Sequence, residues 1–331
     1  MNLRVASLFS GIGGIDLGFK QAGFDIVWAN EIDKFACKTY RQNFGDTTLV
    51  EADIKSINPK DIPPFDVLVA GFPCQPFSIV GKQRGFSDDR GQLFFEIERI
   101  VKYCKPQAIL LENVANLIEH DKGKSFEQVY LSLAKEGYVV RYDTLDPMES
   151  VNIPQHRNRV FLVAFLDIDK ANKFVYPSKT KLTSSLNNYL CLSDKKEDSY
   201  YYTEKHPLYS SMIKLVKDKY AIYKITDYGI NAKGHTICPT LTANMGTFPD
   251  RVPIIKDDFG IRKLTEYECL KLQGYPNDFK FPSNMAKKHC YKQVGNSVCV
   301  PIIKELANSI KSTFFISQYC VSCSFSTMYR A

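Results

Sequence analysis

The chain has 331 residues, of which 44% are apolar and 24% charged, and its formal net charge is +7. The composition is typical of a globular protein with a sizeable core, and the length allows one large domain or two. No apolar run approaches a membrane span and no signal-peptide pattern opens the sequence, so we expect a cytoplasmic protein without membrane contact. The positive charge favours a polyanionic partner, although a merely solvated surface would look similar.

The ten cysteines show no framework spacing, and we expect reduced thiols. One close pair, Cys320 and Cys323, has neither a second pair nor a histidine cluster beside it. This is a weak zinc signal, and no metal site is predicted.

A glycine-rich loop follows the first predicted strand, residues 4–9. Gly11, Gly13 and Gly14 lie in this loop and lead into a helix. Glycines let the backbone approach a ligand closely, and the helix start supplies free N–H groups. Asp16 stands where the dinucleotide-binding fingerprint has its third glycine, so the pattern does not indicate a nicotinamide dinucleotide site.

Acidic residues follow the next two predicted strands. Glu31 comes after the strand at 25–29, and Asp53 ends the strand at 49–53. An acidic residue about twenty positions beyond the glycine loop is placed to bind ribose hydroxyls, and Glu31 fits this role. The alternative for Glu31 is a solvated carboxylate at the start of the helix predicted over 33–43.

The fourth predicted strand, residues 67–70, is a short apolar run typical of a strand buried on both faces. Cys74 follows it, and ligands of open α/β sheets bind beyond the carboxyl ends of the strands. Cys74 is therefore a candidate nucleophile, and the alternative is a small buried hydrophobe. The polar loop at 81–90 suits a segment that meets phosphates.

Strands and helices continue to alternate up to residue 165. Helices are predicted over 93–104 and 125–135. Strands are predicted over 107–111 (with Glu112 at the end), 138–145 and 159–165. This alternation predicts an α/β fold with a doubly wound, mostly parallel sheet.

The character of the sequence changes from about residue 169, where lysine, serine, asparagine and tyrosine become frequent and periodicity is lost. We predict a second, smaller and irregular basic domain, which suits a nucleic-acid surface or a solvated loop-rich region. Residues 239–246 begin strand-like and end in a loop, and residues 265–273 form a short helix. A final amphipathic helix is predicted around 300–310.

Taken together, these motifs resemble those of the bacterial C5-cytosine-specific DNA methyltransferases of restriction–modification systems. The resemblance follows that family's order and spacing from residue 3 to about 310, and leaves out the middle of the second domain and the tail. The matching segments are FSGIGG at 9–14, NE at 30–31, Asp53, GFPCQ at 71–75, ENV at 112–114, QHRNR at 155–159, RKLT at 262–265, LQGYP at 272–276 and QVGNSV at 293–298.

The resemblance implies transfer of a methyl group to C5 of a cytosine, with Cys74, Glu112, Arg157 and Arg159 as catalytic residues. A thiolate of Cys74 would add to C6, which makes C5 nucleophilic. Glu112 would donate a proton at N3 of the ring. Arg159 would reach O2 of the base, and Arg157 would support Arg159.

The resemblance also implies S-adenosylmethionine as the methyl donor. Phe9 would face the adenine, Glu31 would take the ribose hydroxyls and Asp53 the adenine amine, while the glycines would admit the amino-acid end. Asn296 and Ser297 would close the site from a C-terminal segment that folds back on the first domain. The predicted donor-binding residues are Phe9, Gly11, Gly13, Gly14, Glu31, Ile32, Asp53, Ile54, Pro73, Asn296 and Ser297.

Double-stranded DNA is the implied substrate, and the target base must be turned out of the helix. The predicted DNA-binding residues are Gln75, Ser78, Lys82, Arg90, Thr240, Thr242, Asn244 and Arg251, with Asp250 as a further candidate. The expected division of the chain is a catalytic and cofactor-binding domain (1–172), a target-recognition domain (173–285), a returning segment (286–313) and a tail of unknown role (314–331). We expect a monomer that acts beside a cognate restriction endonuclease without necessarily touching it.

Three rival interpretations remain. The first is RNA methylation by a related catalytic domain, although the long basic insert before Pro239 favours duplex DNA. The second is a non-catalytic DNA-binding protein, against which the presence of both Cys74 and Glu112 argues. The third is a nicotinamide oxidoreductase, which the glycine spacing disfavours.

Overall fold

The structure is a computed structural model that describes residues 2–46, 48–72, 93–226, 229–231 and 234–315. Several predicted site residues lie outside the described residues, namely Pro73, Cys74, Gln75, Ser78, Lys82 and Arg90.

The central sheet has seven strands in the order β3-β2-β1-β4-β5-β7-β6. The strands are β1 (Arg4–Leu8), β2 (Asp25–Glu31), β3 (Leu49–Glu51), β4 (Val67–Gly71), β5 (Ala108–Val114), β6 (Val139–Leu145) and β7 (Arg159–Phe165). The first five run parallel, and β7 is antiparallel to both of its neighbours. The predicted doubly wound, mostly parallel sheet is confirmed.

Helices cover both faces of this sheet because successive residues of a buried strand point to opposite sides. Val67 and Val69 of β4 pack in one apolar cluster, whereas Leu68 and Ala70 pack in another on the opposite face. The helices are α1 (Gly14–Gln21), α2 (Lys34–Phe44), α3 (Leu93–Cys104), α4 (Lys124–Lys135), α5 (Pro147–Ser150), α6 (Ile168–Lys173), α7 (Tyr209–Leu215), α8 (Glu266–Leu272), α9 (Lys287–Asn296) and α10 (Val300–Phe314).

The second half of the chain has little regular structure before α8. Its strands are β8 (Ile225–Thr226), β9 (Gly229–Ile230), β10 (Ile254–Lys256) and β11 (Ile261–Lys263). A third apolar cluster contains Leu241, Met245, Leu270 and Val294, and therefore joins this region to α8 and α9.

Helix α10 returns to the sheet and packs against α1. Ile303 of α10 lies so close to Gly18 that a Cβ there would come within 2.6 Å of its side chain. At the other end of α1, the Lys311 ammonium donates hydrogen bonds to the carbonyl oxygens of Ala22 (2.8 Å) and Gly23 (3.3 Å). These contacts fix the carboxyl-terminal helix on the first half of the chain.

Strands β1 and β4 are neighbours, yet the chain leaves them in opposite directions, towards β2 and towards β5. A crevice forms at the carboxyl ends of strands where the order reverses in this way. The glycine loop follows β1, and Cys74 comes three positions after β4. The glycine loop and the end of β4 therefore lie at one crevice, and the segment that begins with Pro73 and Cys74 continues from there outside the described residues.

Three sequence predictions need correction. Strand β3 ends at Glu51 instead of 53, and Asp53 caps the 3-10 turn that follows. Strand β5 continues to Val114 instead of ending at 111, because Asn113 and Val114 pair with Val160 and Arg159 of β7. The strand-like start predicted for 239–246 is wrong, because residues 239–242 have no regular structure and a 3-10 turn follows at Ala243–Gly246.

Across the described parts of the chain, none of the helices combines the length and the apolar composition that crossing a membrane requires.

Candidate active site

Glu112 lies within β5, directly beside the last residue of β4. Its Cα pairs with that of Gly71, and a Cβ on Gly71 would come within 3.4 Å of its Oε2. On the other side, the Arg159 Nε lies 3.1 Å from Glu112 Oε1, since the amino end of antiparallel β7 meets the carboxyl end of β5. A carboxyl group and a guanidinium group therefore share the sheet edge that leads to Cys74.

The environment of Glu112 shifts its protonation equilibrium towards the neutral form relative to an exposed glutamate. Burial raises the pKa of the Glu112 carboxyl above 4.5, and the positive charges of Arg159 and Arg157 only partly offset this effect. A raised pKa keeps a larger fraction of the carboxyl group protonated at a given pH, and the protonated form can act as a general acid.

Asn113 connects this strand to the cysteine-bearing segment. Its Nδ2 donates a hydrogen bond to the carbonyl oxygen of Phe72 (3.3 Å), two positions before Cys74. Its Oδ1 accepts from the N–H of Val114 (2.8 Å). The Asn113 side chain thus holds the end of β4 against β5, although the sequence alone gave it no separate role.

Glu31 ends β2 facing the glycine loop. Its carboxylate accepts hydrogen bonds from the N–H groups of Gly11 (2.8 Å), Ile32 (2.9 Å) and Asp33 (2.7 Å). Burial has the largest effect on the pKa of Glu31 and raises it. The three N–H donors lower this pKa by smaller amounts, and the negative charge of Asp33 raises it slightly. The carboxylate is fixed at the mouth of the loop, where it can accept from hydroxyl groups.

Other predicted donor-binding residues that the structure describes follow β1, β2 and β3 at the same edge of the sheet. Ile32 is 62% exposed and offers an apolar surface beside Glu31. Phe9 has a positive φ of 54° and is partly buried, and Asp53 is exposed and caps the turn that begins at the buried Ile54. Gly11 has a φ of +57°, and a Cβ there would point into open space within the described structure.

The carboxyl-terminal residues reach the glycine loop from the opposite side. The hydroxyls of Tyr275 and Ser297 are hydrogen-bonded to each other. A Cβ on Gly14 would lie 2.5 Å from the first and 2.7 Å from the second. Gly14 is therefore required for this close contact. Asn296, the last residue of α9, precedes Ser297 and is exposed. Tyr275 had no assigned role, although it belongs to the LQGYP motif.

Arg157 is almost fully buried and binds backbone carbonyl groups. It donates hydrogen bonds to the oxygens of Leu241 (2.8 Å), Gly295 (3.1 Å) and Ser297. The Arg157 guanidinium thereby connects three segments: the residues just before β7, the residues just before the turn at Ala243–Gly246, and the junction between α9 and α10. Arg159 remains the arginine that directly contacts Glu112.

Comparisons with known proteins identify the family of the chain. The profile of the family "C-5 cytosine-specific DNA methylase" matches residues 3–312. The chain belongs to this family. It is 46% identical to the type II methyltransferase M.Bsp6I of Bacillus sp. over 93% of this chain and 98% of that protein. It is 39% identical to M.NlaX of Neisseria lactamica over 93% of this chain and 96% of the relative.

Solved structures share the fold of this methylase. The Entamoeba histolytica methyltransferase EhMeth superposes with a TM-score of 0.73 at 22% identity, covering 96% of this chain and all of that one. The Schizosaccharomyces pombe Dnmt2 methyltransferase superposes with a TM-score of 0.72 at 22% identity, again covering 96% of this chain and all of its own. The methylase is a DNA (cytosine-5-)-methyltransferase by family membership.

Four of the predicted DNA-binding residues, Thr240, Thr242, Asn244 and Arg251, lie in the segment 240–251, which we call the reading loop. Thr240 donates a hydrogen bond to the His156 carbonyl oxygen (2.8 Å), and Thr242 donates to Asn244. Arg251 is exposed, and Asp250 accepts from the Tyr202 hydroxyl (3.3 Å).

Asp16 has no predicted role in the site. Its only notable feature in the sequence is that it replaces the third glycine of the dinucleotide-binding fingerprint. It is fully buried in the first turn of α1, and neither of its oxygens has a hydrogen-bond partner among the described residues. Burial raises the pKa of Asp16 to about 6, although the nearby hydroxyls of Ser7 and Tyr40 lower it somewhat. The methylase therefore carries a buried carboxyl group beneath its glycine loop, and burial disfavours the charged form of this group.

This carboxylate predicts the effect of Asp16→Asn. The pKa is higher in the folded chain than the ordinary value of 3.8. The stability of the wild type should therefore fall as pH rises from about 4 to about 6 and stay lower above that range. At pH 7.5 the variant should be more stable by about 1–3 kcal/mol, with no gain near pH 4. Urea unfolding at both pH values checks this, with the surface variant Asp61→Asn as control. An equal gain at both pH values would contradict it.

Within the described ranges, no three His, Cys, Asp or Glu side chains come close enough together to hold a metal ion.

Proposed function

We propose that this methylase transfers a methyl group from S-adenosylmethionine to C5 of a cytosine turned out of a specific short site in duplex DNA. The transfer proceeds through a transient bond between the Cys74 sulfur and C6. The single observation that carries the proposal is the position of the buried Glu112. It lies on β5, next to β4, the strand that precedes Cys74 in the sequence, and it forms an ion pair with Arg159.

The chain's own residues account for the activation of the base. The Cys74 thiolate adds to C6, the Glu112 carboxyl gives its proton to N3, and the ring becomes an enamine with a nucleophilic C5. Arg159 lies within 3.1 Å of Glu112 and can also donate to O2 of the ring. After transfer a base removes the proton from C5, the C5–C6 double bond re-forms as the Cys74 thiolate leaves, and the N3 proton returns to Glu112.

The residues around the glycine loop fit S-adenosylmethionine. The fixed carboxylate of Glu31 suits the ribose hydroxyls, the exposed Ile32 suits one face of the adenine, and Gly11 leaves open space where a side chain would intrude. When bound, this donor supplies an electrophilic methyl group. Asn296 and Ser297 close the site at the amino-acid end.

Glu31→Ala should weaken binding of S-adenosylhomocysteine by about 10- to 100-fold, since a carboxylate hydrogen-bonded to hydroxyls is lost. Isothermal titration measures the change. Glu51→Ala is a matched control because Glu51 pairs with Glu31 in register on β3 but binds Arg41 instead. Similar losses in both variants, or none in Glu31→Ala, would refute the role of Glu31.

Duplex DNA is the proposed substrate because the chain is basic overall and the reading loop presents Thr240, Thr242, Asn244 and Arg251 beside the site. Side chains of these types contact phosphates and base edges. Residues 1–172 would carry the chemistry, residues 173–285 would recognise the target, and residues 286–313 would return to the first domain.

A direct test compares methyl transfer from labelled donor to duplex DNA and to tRNA. We expect label in duplex DNA at C5 of cytosine, and sequencing of DNA from cells that express the chain would map the site. Label in tRNA alone would overturn the choice of substrate.

We also propose the biological setting, which is protection of host DNA in the cytoplasm against a cognate restriction endonuclease. The partnership is functional and needs no physical contact, and a monomer suffices. The names of the type II methyltransferase relatives support this setting.

A further inference from the structure

Helix α9 lies between the reading loop and helix α2. Towards the loop, the contacts are made through backbone at two glycines. A Cβ on Gly295 would lie 2.2 Å from the carbonyl carbon of Thr242, and one on Gly246 would lie 2.3 Å from the carbonyl oxygen of Lys288. Any movement of the reading loop must therefore move α9 or open this contact.

On its other side, α9, together with Lys280 of the segment before it, contacts one face of α2. The rings of Phe35 and His289 are stacked with centroids 3.6 Å apart, and Thr39 donates to Gln293 Oε1 (2.8 Å). One turn further, Asn43 exchanges two hydrogen bonds of 2.9 Å with the backbone of Lys280. Positions 35, 39 and 43 are four residues apart, so these contacts form a stripe along α2. We call this stripe the α2–α9 seam.

The seam ends at the proposed donor site. Lys292 Nζ lies 2.9 Å from Asp33 Oδ2, and Asp33 Oδ1 caps α2 by accepting from Phe35 N (2.9 Å). The N–H of Asp33 donates to Glu31 Oε1 (2.7 Å). Lys292 thus holds the turn that shapes the Glu31 carboxylate, one helical turn before Asn296.

We propose that Lys292 is a positioning residue that couples the reading loop to the donor site through Asp33. Duplex in the reading loop fixes α9, Lys292 then fixes the turn at Glu31, and the donor binds more tightly. By linkage, the donor must tighten duplex binding by the same factor. This inference rests on the proposed function, because it assigns the two ligands whose sites α9 connects.

The expected size of the effect follows from exposure. The side chains of Lys292 and Asp33 are 49% and 31% exposed. A partly exposed ion pair of this kind changes an equilibrium by up to about fivefold. Lys292→Met should therefore lower the coupling factor by about two- to fivefold while α9 stays folded.

The test measures binding of S-adenosylhomocysteine, which cannot donate a methyl group, with and without a duplex carrying the site mapped for the wild type. In the wild type we expect the duplex to tighten this binding at least about fivefold. Lys292→Met and Asp33→Asn should each reduce that factor, their combination should reduce it no further, and Lys292→Arg should restore it. Lys288→Met is the matched control, since it removes a lysine of the same helix, one turn earlier, and should leave the factor unchanged.

Several outcomes would overturn the coupling role. The first is that duplex does not change the affinity of the wild type for S-adenosylhomocysteine. The second is that Lys292→Met keeps the wild-type coupling factor. The third is that Lys288→Met lowers the coupling factor as much as Lys292→Met does. Weaker binding by the same factor with and without duplex would instead make Lys292 a donor ligand. If the wild type transfers no methyl group to duplex DNA at all, the proposed function fails first, which separates the two failures.

Discussion

Cys74→Ser is expected to reduce methyl transfer by more than about 10⁴-fold while duplex binding persists. A serine hydroxyl is hardly ionised at neutral pH, so it cannot add to C6 as a thiolate does. The rate is measured with labelled donor in single-turnover reactions, and duplex binding is measured by fluorescence anisotropy.

A duplex with 5-fluorocytosine at the target position gives a second readout. With donor present, the wild type should form a covalent adduct through residue 74, because fluorine cannot leave C5 as a proton does. Cys104→Ser, which replaces a partly exposed thiol on α3, is the control and should keep both activity and trapping. Near-normal turnover in Cys74→Ser would rule out the covalent route.

Glu112→Gln is expected to slow methyl transfer by about 10²- to 10³-fold, with donor affinity unchanged. Glutamine keeps the shape of the side chain and one oxygen, but it cannot give a proton to N3. Burial raises the pKa of Glu112, so its protonated form persists to higher pH than for an exposed glutamate. The wild-type rate should fall as pH rises through this pKa, and the variant should lack that limb of the profile.

The Glu112→Gln prediction is specific because the rate of methyl transfer and the affinity for the donor are measured separately. Single-turnover rates report the chemistry, and titration with S-adenosylhomocysteine reports the donor site. Glu96→Gln, on α3 where its carboxylate pairs with Arg99, is the control and should leave both quantities unchanged. A Glu112→Gln variant that loses only donor affinity would assign Glu112 to the wrong site.

The strand ends were predictable because buried parallel strands are short apolar runs, and their boundaries are fixed by glycine, proline and acidic residues. Residues 67–70, for example, were assigned within one position of β4. The end of β5 was not predictable in this way, since Asn113 and Val114 join the strand only through pairing with β7, more than forty residues away.

Contacts between distant segments were the least predictable part of the site. Arg157 lies in a recognised motif, but its binding to the carbonyls of Leu241 and Gly295 depends on how separate parts of the chain pack. The Lys292–Asp33 ion pair spans 259 positions and has no local pattern. Asp16 differs again: its position was visible, but its burial without a partner is a property of the folded chain alone.

Gly246 and Gly295 let the reading loop contact α9 through main-chain atoms, and the buried side chains of Leu241 and Met245 complete this contact, so it does not depend on the exposed side chains of the loop. Under the proposed function, side chains of the loop outside this buried contact, such as the exposed Arg251 and the partly exposed Asn244, can change and give new target preferences without rebuilding the scaffold. Libraries that randomise Asn244 and Arg251 while retaining both glycines should accordingly yield many folded enzymes with altered site choice.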